Sequence, residues 1–387
     1  MNSNRSRPKV VVDARCLNRP HLRGIGKVVY NLVDRLAGRC EFYLMGDRPD
    51  LPFHCPGNGS GHRYIHVESC DQVGYRLNAW QQGAFPFRAR QLAKSGRGEV
   101  MWCPANSASW WQPLPTVVTV HDLIQWNDRW SESTTRSVAG ERLLDASLTR
   151  ADAMVTISHA SAGDIVRRWP KVEPDLRVIA NGVDESYFKP TSAVNRPETP
   201  YMLYFGGAIP RKRLDWAVKV FDSLRPSNLR LIICGLETTA RRDFKASLPA
   251  RVADRVVVSD FVDESDLPQL IAGATAVLYP TLQEGFGLPV IEAHAVGTAV
   301  LHSDVSSLSE LIGPASVILD RDDLAGWTGA AQSLVDRGGL AEALTAPAKR
   351  WAERFRWDRA ADGYYELFEQ LAGHSAGAER QNRRTAA

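Results

Sequence analysis

Two stretches of this chain carry residue types at spacings that could hold an elongated, anionic ligand. The first runs Tyr279-Pro280-Thr281-Leu282-Gln283-Glu284-Gly285-Phe286-Gly287-Leu288-Pro289-Val290-Ile291-Glu292-Ala293. Gly285 and Gly287 let a backbone approach a ligand closely and turn amide hydrogens toward one point. Pro289 suits the first turn of a helix, where its missing N–H costs nothing. A helix N-terminus offers such donors to an anion together with a favourable dipole. Glu284 and Glu292 would lie roughly 12 Å apart if the stretch were helical throughout. They need not share a proton and suit two ends of one ligand, with its phosphates over the glycines. A glycine-rich turn with a helix-capping glutamate is the plainer alternative.

The second stretch is Gly206-Gly207-Ala208-Ile209-Pro210-Arg211-Lys212-Arg213-Leu214-Asp215. Arginine supplies a bidentate fork and lysine a point charge, so three cations together could neutralise a diphosphate. A basic helix start is more often simply a solvated face. Its proximity to the glutamate loop is what favours a ligand.

Elements that would position these loops are legible as short β-branched runs. They are Val10–Ala14, Val117–Val120, Met154–Ser158, Tyr201–Phe205, Leu229–Ile233, Val256–Val258, Ala276–Tyr279 and Ala299–Leu301. Continuous apolar runs mark strands covered on both faces. Helix-like stretches such as Leu214–Leu224 and Ser265–Ala272 follow them. Strand, turn and helix in repetition predict parallel sheets wrapped by helices, an α/β fold. Ligands then bind at the carboxyl ends of the strands, where both loops lie.

The length of 387 residues suffices for two domains. Three prolines and little apolar content at residues 189–200 suggest a linker, after the turn signal Asn181-Gly182-Val183-Asp184. The expected division is an N-terminal domain at 1–190 and a C-terminal domain at 191–355. A terminal helix would follow at 356–372, its candidate core Trp357–Leu371 carrying Tyr364, Tyr365, Leu367 and Phe368. A disordered tail is expected at 373–387, polar and bearing Arg380, Arg383 and Arg384.

A net charge of +3 is too small to argue for nucleic acid. Six cysteines without a Cys-x-x-Cys pair or a completing histidine set read as reduced, buried thiols rather than zinc ligands. Only Val10–Val12 follow the basic N-terminus before Asp13, which is no signal-peptide core. Nowhere do 18 apolar residues run together, so no membrane-spanning helix is expected. These features predict a cytoplasmic protein, soluble or peripherally attached. Trp110 and Trp111, near Pro113 and Pro115, suit a sugar face, a membrane interface or a core equally well.

The two loops also carry a resemblance. Glu284 and Glu292, seven residues between them and Gly-Phe-Gly-Leu-Pro within, are similar to the paired-glutamate motif of retaining family-4 glycosyltransferases. Pro210-Arg211-Lys212 resembles the basic diphosphate clamp of that family. The likeness extends to Arg23-Gly24-Ile25-Gly26, Val120-His121-Asp122-Leu123, Ile157-Ser158-x-x-Ser161 and Asn181-Gly182-Val183-Asp184. It looks nearest to the bacterial mannosyltransferase-like branch concerned with surface polysaccharides.

The resemblance implies a GT-B fold, two Rossmann-like domains facing a cleft, with the terminal helix returning to the N-terminal, acceptor-binding domain. Carried over, Glu292 would bind the nucleotide ribose and Glu284 would face the donor sugar. Backbone amides of Gly285, Phe286, Gly287 and Leu288 would contact sugar hydroxyls and diphosphate, while Arg211 and Lys212 offset the departing charge. His121 would approach the sugar from the N-terminal domain, and Gly24 to Gly26 would form a first loop near phosphate and acceptor. Many relatives carry Arg where this chain has Gly207, which leaves Arg211 and Arg213 as candidates for the replacing cation.

The implied reaction transfers a hexose, mannose from GDP-mannose foremost, to a glycan or lipid-linked acceptor at the inner membrane face. No cofactor or obligate metal is expected: fixed cations serve the leaving group, and no compelling Asp-x-Asp motif is present. Alternatives are a glucosyl- or N-acetylglucosaminyltransferase using a UDP-sugar and a non-catalytic nucleotide-sugar-binding protein. A nicotinamide-dependent oxidoreductase is disfavoured, because no Gly-x-Gly-x-x-Gly follows a strand.

Overall fold

The structure, a computed structural model, describes residues 6–18, 22, 24–49, 63–67, 79–126, 138–189, 199–225, 228–259, 262–336 and 338–385. The chain divides into two compact units. Unit 1 comprises residues 1–182 and 357–387, and unit 2 comprises residues 183–356.

Unit 1 is built on β1 (Lys9–Asp13), β2 (Glu41–Gly46), β3 (Arg63–His66), β4 (Val100–Cys103), β5 (Thr116–Thr119), β6 (Ala153–Thr156) and β7 (Leu176–Val178). Unit 2 is built on β8 (Tyr201–Tyr204), β9 (Arg230–Ile233), β10 (Val256–Val258), β11 (Ala276–Tyr279), β12 (Val300–Ser303) and β13 (Ser316–Leu319). Six helices bear on function: α1 (Ile25–Arg35), α2 (Phe85–Lys94), α3 (His159–Arg168), α4 (Leu214–Asp222), α5 (Leu288–Val296) and α6 (Trp357–Thr385).

Strand order is β3-β2-β1-β4-β5-β6-β7 in unit 1 and β10-β9-β8-β11-β12-β13 in unit 2. Neighbours pair in parallel, as between Val10 and Phe42 or Val277 and Leu203. Parallel strands need crossovers, and helices supply them on both faces. That is why the central strands β1, β4, β5, β8 and β11 are almost wholly buried and read as continuous apolar runs. The edge strand β3 carries no such run, and its ends Arg63 and His66 are exposed.

One face of the unit 1 sheet buries Val10, Val12, Phe42, Trp102 and Val117 against α1 and α6. From α6 come Trp357, Tyr364, Leu367 and Phe368, all buried. Trp102 lies 5.2 Å from the Tyr364 ring and 5.7 Å from that of Phe368. Its indole N–H donates to Thr119 Oγ1 at 3.0 Å, and that hydroxyl also meets Tyr364 Oη at 2.9 Å. The last helix of the chain therefore completes the core of the first unit, each large side chain contributing about 1.5–3 kcal/mol of burial.

Two sequence expectations need correction. The division falls after Gly182 and after Arg356, not within the proline-rich stretch, of which residues 190–198 lie outside the described residues. The turn signal at Asn181-Gly182 marks the crossing itself: a Cβ on Gly182 would stand 2.3 Å from Trp357 N, and Val183 N donates to Phe355 O at 2.8 Å. Second, α6 continues through residues 373–385 instead of ending in a disordered tail. Ala376, Ala378, Glu379, Arg380, Gln381, Arg383 and Arg384 are good helix formers, and their polarity alone concealed this.

Backbone stands where a Gly182 side chain would go, so Gly182→Ala should destabilise unit 1 by about 1–3 kcal/mol. Urea unfolding monitored by tryptophan fluorescence measures this; an unchanged midpoint would show that the crossing relaxes freely.

Candidate active site

In unit 2 the strand order reverses between β8 and β11. β9 and β10 extend the sheet on one side, β12 and β13 on the other. The helices after β8 and β11 thus leave on opposite faces, opening a crevice at the carboxyl ends of the two strands. The basic loop follows β8 and the glutamate loop follows β11, so the fold brings together two segments far apart in sequence.

After β8, Gly207 has φ 77°, a conformation that an arginine there would adopt only with strain. A 3-10 turn, Pro210–Lys212, then leads into α4 through Arg213 at φ 51°. Arg213 faces away from the glutamate loop: its Nη1 pairs with Asp322 Oδ1 at 3.0 Å, and its guanidinium lies 4.1 Å over Trp216. Arg211 takes the other direction. Its Nη1 donates to Gln283 O at 2.7 Å and to Glu284 Oε1 at 3.0 Å. Of the two candidate cations, Arg211 is the one at the glutamate loop.

Lys212 Nζ pairs with the same Glu284 oxygen and donates to Tyr279 Oη at 2.9 Å. Thr281 Oγ1 donates to Glu284 Oε1 at 3.0 Å. Leu282 N donates to Arg211 O at 2.8 Å, tying the two loops by their backbones. Ser307 Oγ donates to Glu284 O at 2.6 Å. Burial by itself would raise the Glu284 carboxyl, but Lys212 and Arg211 outweigh it and hold it below its ordinary value. Tyr279 is pushed well up, by burial first and then by Glu284. Two cations and one carboxylate leave a local surplus of one positive charge.

Gly287, at φ 106°, begins α5; a Cβ there would meet Leu308 Cδ2 at 2.2 Å. Phe286 is 5% exposed, its ring 6.0 Å from that of Phe355. Its side chain belongs to the core. Glu292 lies on α5, 7% exposed. Beside it is Tyr187, from the short helix Glu185–Phe188, whose hydroxyl is raised by burial and then by Glu292, Asp184 and Glu264. Glu292 thus stands apart from the Glu284 cluster in its partners.

The remaining candidates lie in unit 1. Gly24, at φ 48°, caps α1, and a Cβ on Gly26 would stand 2.7 Å from Cys16 O. His121 follows β5 and is 6% exposed. Its backbone N donates to Asn106 Oδ1 at 2.7 Å, and its carbonyl accepts from Ser161 Oγ at 3.2 Å. Ser158 caps α3 by accepting from Ser161 N, which explains the Ser158-x-x-Ser161 spacing. His121 Nε2 lies 2.8 Å from Pro104 O. A carbonyl only accepts, so Nε2 carries the proton and Nδ1 the lone pair. Burial pushes the imidazole down to about 4, so it is neutral at neutral pH.

The Family 4 glycosyltransferase profile matches residues 22–187, and the group 1 glycosyl transferase profile matches residues 188–351. The chain belongs to the group 1 and family 4 glycosyltransferases. Two sequence relatives illustrate its similarity. A D-inositol 3-phosphate glycosyltransferase from Salinispora arenicola is 27% identical over 70% of this chain and 66% of its own. The O-antigen chain mannosyltransferase RfbU of Salmonella typhimurium is 28% identical over 56% of this chain and 60% of its own. The glycosyltransferase thus spans less than two thirds of each relative's length. Sucrose-phosphate synthase from Thermosynechococcus elongatus superposes with a TM-score of 0.75 at 20% identity, covering 95% of this chain and all of that one. The fold of this glycosyltransferase is accordingly GT-B.

Thr281 and Tyr279 stood in the glutamate loop without a role assigned to them, and nothing in the sequence pointed to Ser307 or Tyr187. All four act through contacts between segments distant along the chain.

Glu284→Gln removes the charge that compensates Arg211 and Lys212 in a nearly buried setting, and should destabilise unit 2 by about 3 kcal/mol. Because the folded carboxyl lies below its ordinary value of 4.5, its contribution is present above that pH and fades as pH falls below it. The gap between wild type and variant in urea midpoint should therefore narrow on acidification. A gap independent of pH would exclude the ionic origin.

Proposed function

We propose that this glycosyltransferase moves a hexose, mannose from GDP-mannose foremost, with retention of configuration, onto a glycan or lipid-linked acceptor in surface polysaccharide synthesis. The observation that supports it most is the convergence of Arg211 Nη1 and Lys212 Nζ on Glu284 Oε1 at the reversal between β8 and β11. A nucleoside diphosphate leaving group develops negative charge as the sugar becomes oxocarbenium-like. Cations already oriented by a fixed carboxylate meet that charge without reorganising, and such preorganised electrostatics commonly supplies the largest share of catalysis. The O-antigen mannosyltransferase relative favours mannose.

In this reading Glu292 holds the ribose, Glu284 faces the donor sugar, and the backbone of Gly285, Phe286, Gly287 and Leu288 takes sugar hydroxyls and diphosphate. Arg211 and Lys212 neutralise the leaving group without a metal ion. His121 offers a neutral imidazole to a sugar hydroxyl and is not a titrating acid near pH 7. Gly24 and Gly26 lend backbone to the acceptor side.

Peripheral membrane contact has support in unit 1. Trp110 and Trp111 are 48% and 37% exposed, which removes the core alternative, and Phe87 on α2 is 57% exposed. Arg150 lies 4.8 Å over the Trp110 ring and Arg90 5.6 Å over that of Trp111. Exposed aromatics interleaved with cations suit an acidic bilayer surface. Among the described residues no helix is long and apolar enough to cross a membrane.

Thermal-shift screening with GDP, UDP and ADP sugars should give the largest stabilisation with GDP-mannose. Glu292→Ala should weaken donor binding at least tenfold, while Lys212→Ala should keep most affinity and lose about 10²–10³ in turnover. Wild-type affinity and rate in both variants would remove the proposed site; a larger shift with a UDP sugar would transfer the assignment to that donor.

Vesicles of acidic lipid should pellet the protein at low salt and release it when Trp110, Trp111 and Phe87 are replaced by Ser. Absence of pelleting from the wild type would dismiss the membrane contact.

A further inference from the structure

The carboxyl end of β1 in unit 1 carries a polar cluster that none of the roles above uses. Asp13, the last residue of β1, has 4% of its side chain exposed. It accepts from Arg15 Nε at 2.9 Å and from Arg15 Nη2 at 2.7 Å. Arg15 Nη2 also donates to Gln81 Oε1 at 2.6 Å, and the guanidinium lies 4.9 Å over the Trp80 ring. The Arg15 side chain, 16% exposed, is the open edge of the cluster.

Three independent observations mark this as a place built for a ligand. First, β1 pairs with β2 on one side and β4 on the other, so the cluster sits where the strand order of unit 1 reverses. Second, Gln81 Nε2 and Trp80 Nε1 are buried donors without a hydrogen-bond partner among the described residues. Such groups each cost about 1–3 kcal/mol, and native folds rarely keep them side by side. Third, Trp80–Ala84 is a π-helical turn, a rare conformation that concentrates at functional sites.

The ligand's chemistry follows from the charge balance. Asp13 cancels Arg15, so the cluster has an excess of N–H donors but no excess of charge, unlike the Arg211–Lys212–Glu284 group. Such a set fits neutral oxygen acceptors better than an anion. Planar amide, carboxylate and guanidinium groups beside an indole are suited to the hydroxyls of a sugar ring.

We infer that Arg15 and Gln81 form a carbohydrate subsite for a neutral sugar residue of the acceptor, with Asp13 and the wholly buried Trp80 as the positioning residues that hold the Arg15 fork. The inference rests on the hexosyl transfer proposed above.

Saturation-transfer NMR on the full chain tests it with methyl α-D-mannopyranoside and methyl α-D-glucopyranoside as probes. Inorganic phosphate serves as the anionic control, and GDP and UDP titrations run in parallel. At least one methyl hexoside should receive saturation from the wild type. Arg15→Gln and Gln81→Leu should each weaken that binding at least tenfold while leaving nucleotide affinity unchanged. Gln81→Leu removes the acceptor of the Arg15 Nη2 bond together with the buried Nε2 donor, so melting temperature is followed beside binding to separate loss of fold from loss of the subsite. Undiminished transfer in both variants, above all with a lowered melting temperature, would show a purely structural cluster. Displacement of the hexoside by phosphate, or no transfer from a wild type that binds GDP or UDP, would also overturn the subsite. A wild type that binds neither nucleotide instead defeats the donor reading, and the hexoside measurements still decide the subsite.

Discussion

The carboxylate of Glu284 is the point on which the loops after β8 and β11 depend. Arg211 and Lys212, both on the turn after β8, stand nearly buried beside one another, and each would repel the other without a counter-ion. Glu284 provides it from the turn after β11, with Thr281 Oγ1 as a further donor to the same oxygen. Because its carboxyl is held below its ordinary value against the effect of burial, attraction clearly exceeds desolvation here. The Leu282 to Arg211 backbone bond reinforces the join. The loops of two adjacent parallel strands thereby become one rigid polar surface.

The two glutamates of the motif are physically different groups. Glu284 leaves a loop and is oriented by cations. Glu292 is carried by a regular helix and lies beside a buried tyrosine. Gly287 separates them, with a conformation and a contact to Leu308 that leave no room for a side chain. A spacing that looks symmetric along the chain thus yields one carboxylate that organises positive charge and another set on a helix, as the roles of sugar and ribose recognition would require.

The same architecture appears twice with different electrostatics. Both units reverse strand order near the middle of a parallel sheet and gather polar residues at that edge. In unit 2 the gathered charges leave a surplus of one cation, suited to a diphosphate. In unit 1 Asp13 and Arg15 cancel, and His121 is neutral, which suits hydroxyl groups. A transferase with an anionic donor and an uncharged acceptor sugar would be served by this division.

Much of this was legible in residue order. Buried parallel strands leave uninterrupted apolar runs, so β1, β5, β6, β8, β9, β10, β11 and β12 could be read directly, and the glycines and prolines around Glu284 marked the loop between β11 and α5. The edge strand β3 escaped notice because its exposed ends, Arg63 and His66, leave only Tyr64-Ile65 as an apolar run. Tertiary structure alone decided that Arg211 meets Glu284 while Arg213 turns to Asp322, that Phe286 belongs to the core, and that Gln81 reaches Arg15. Periodicity and turn chemistry act over a few neighbouring residues and are therefore written locally. The pairing of a charge depends on which distant segment the sheet order places beside it, and that is settled only when the strands assemble.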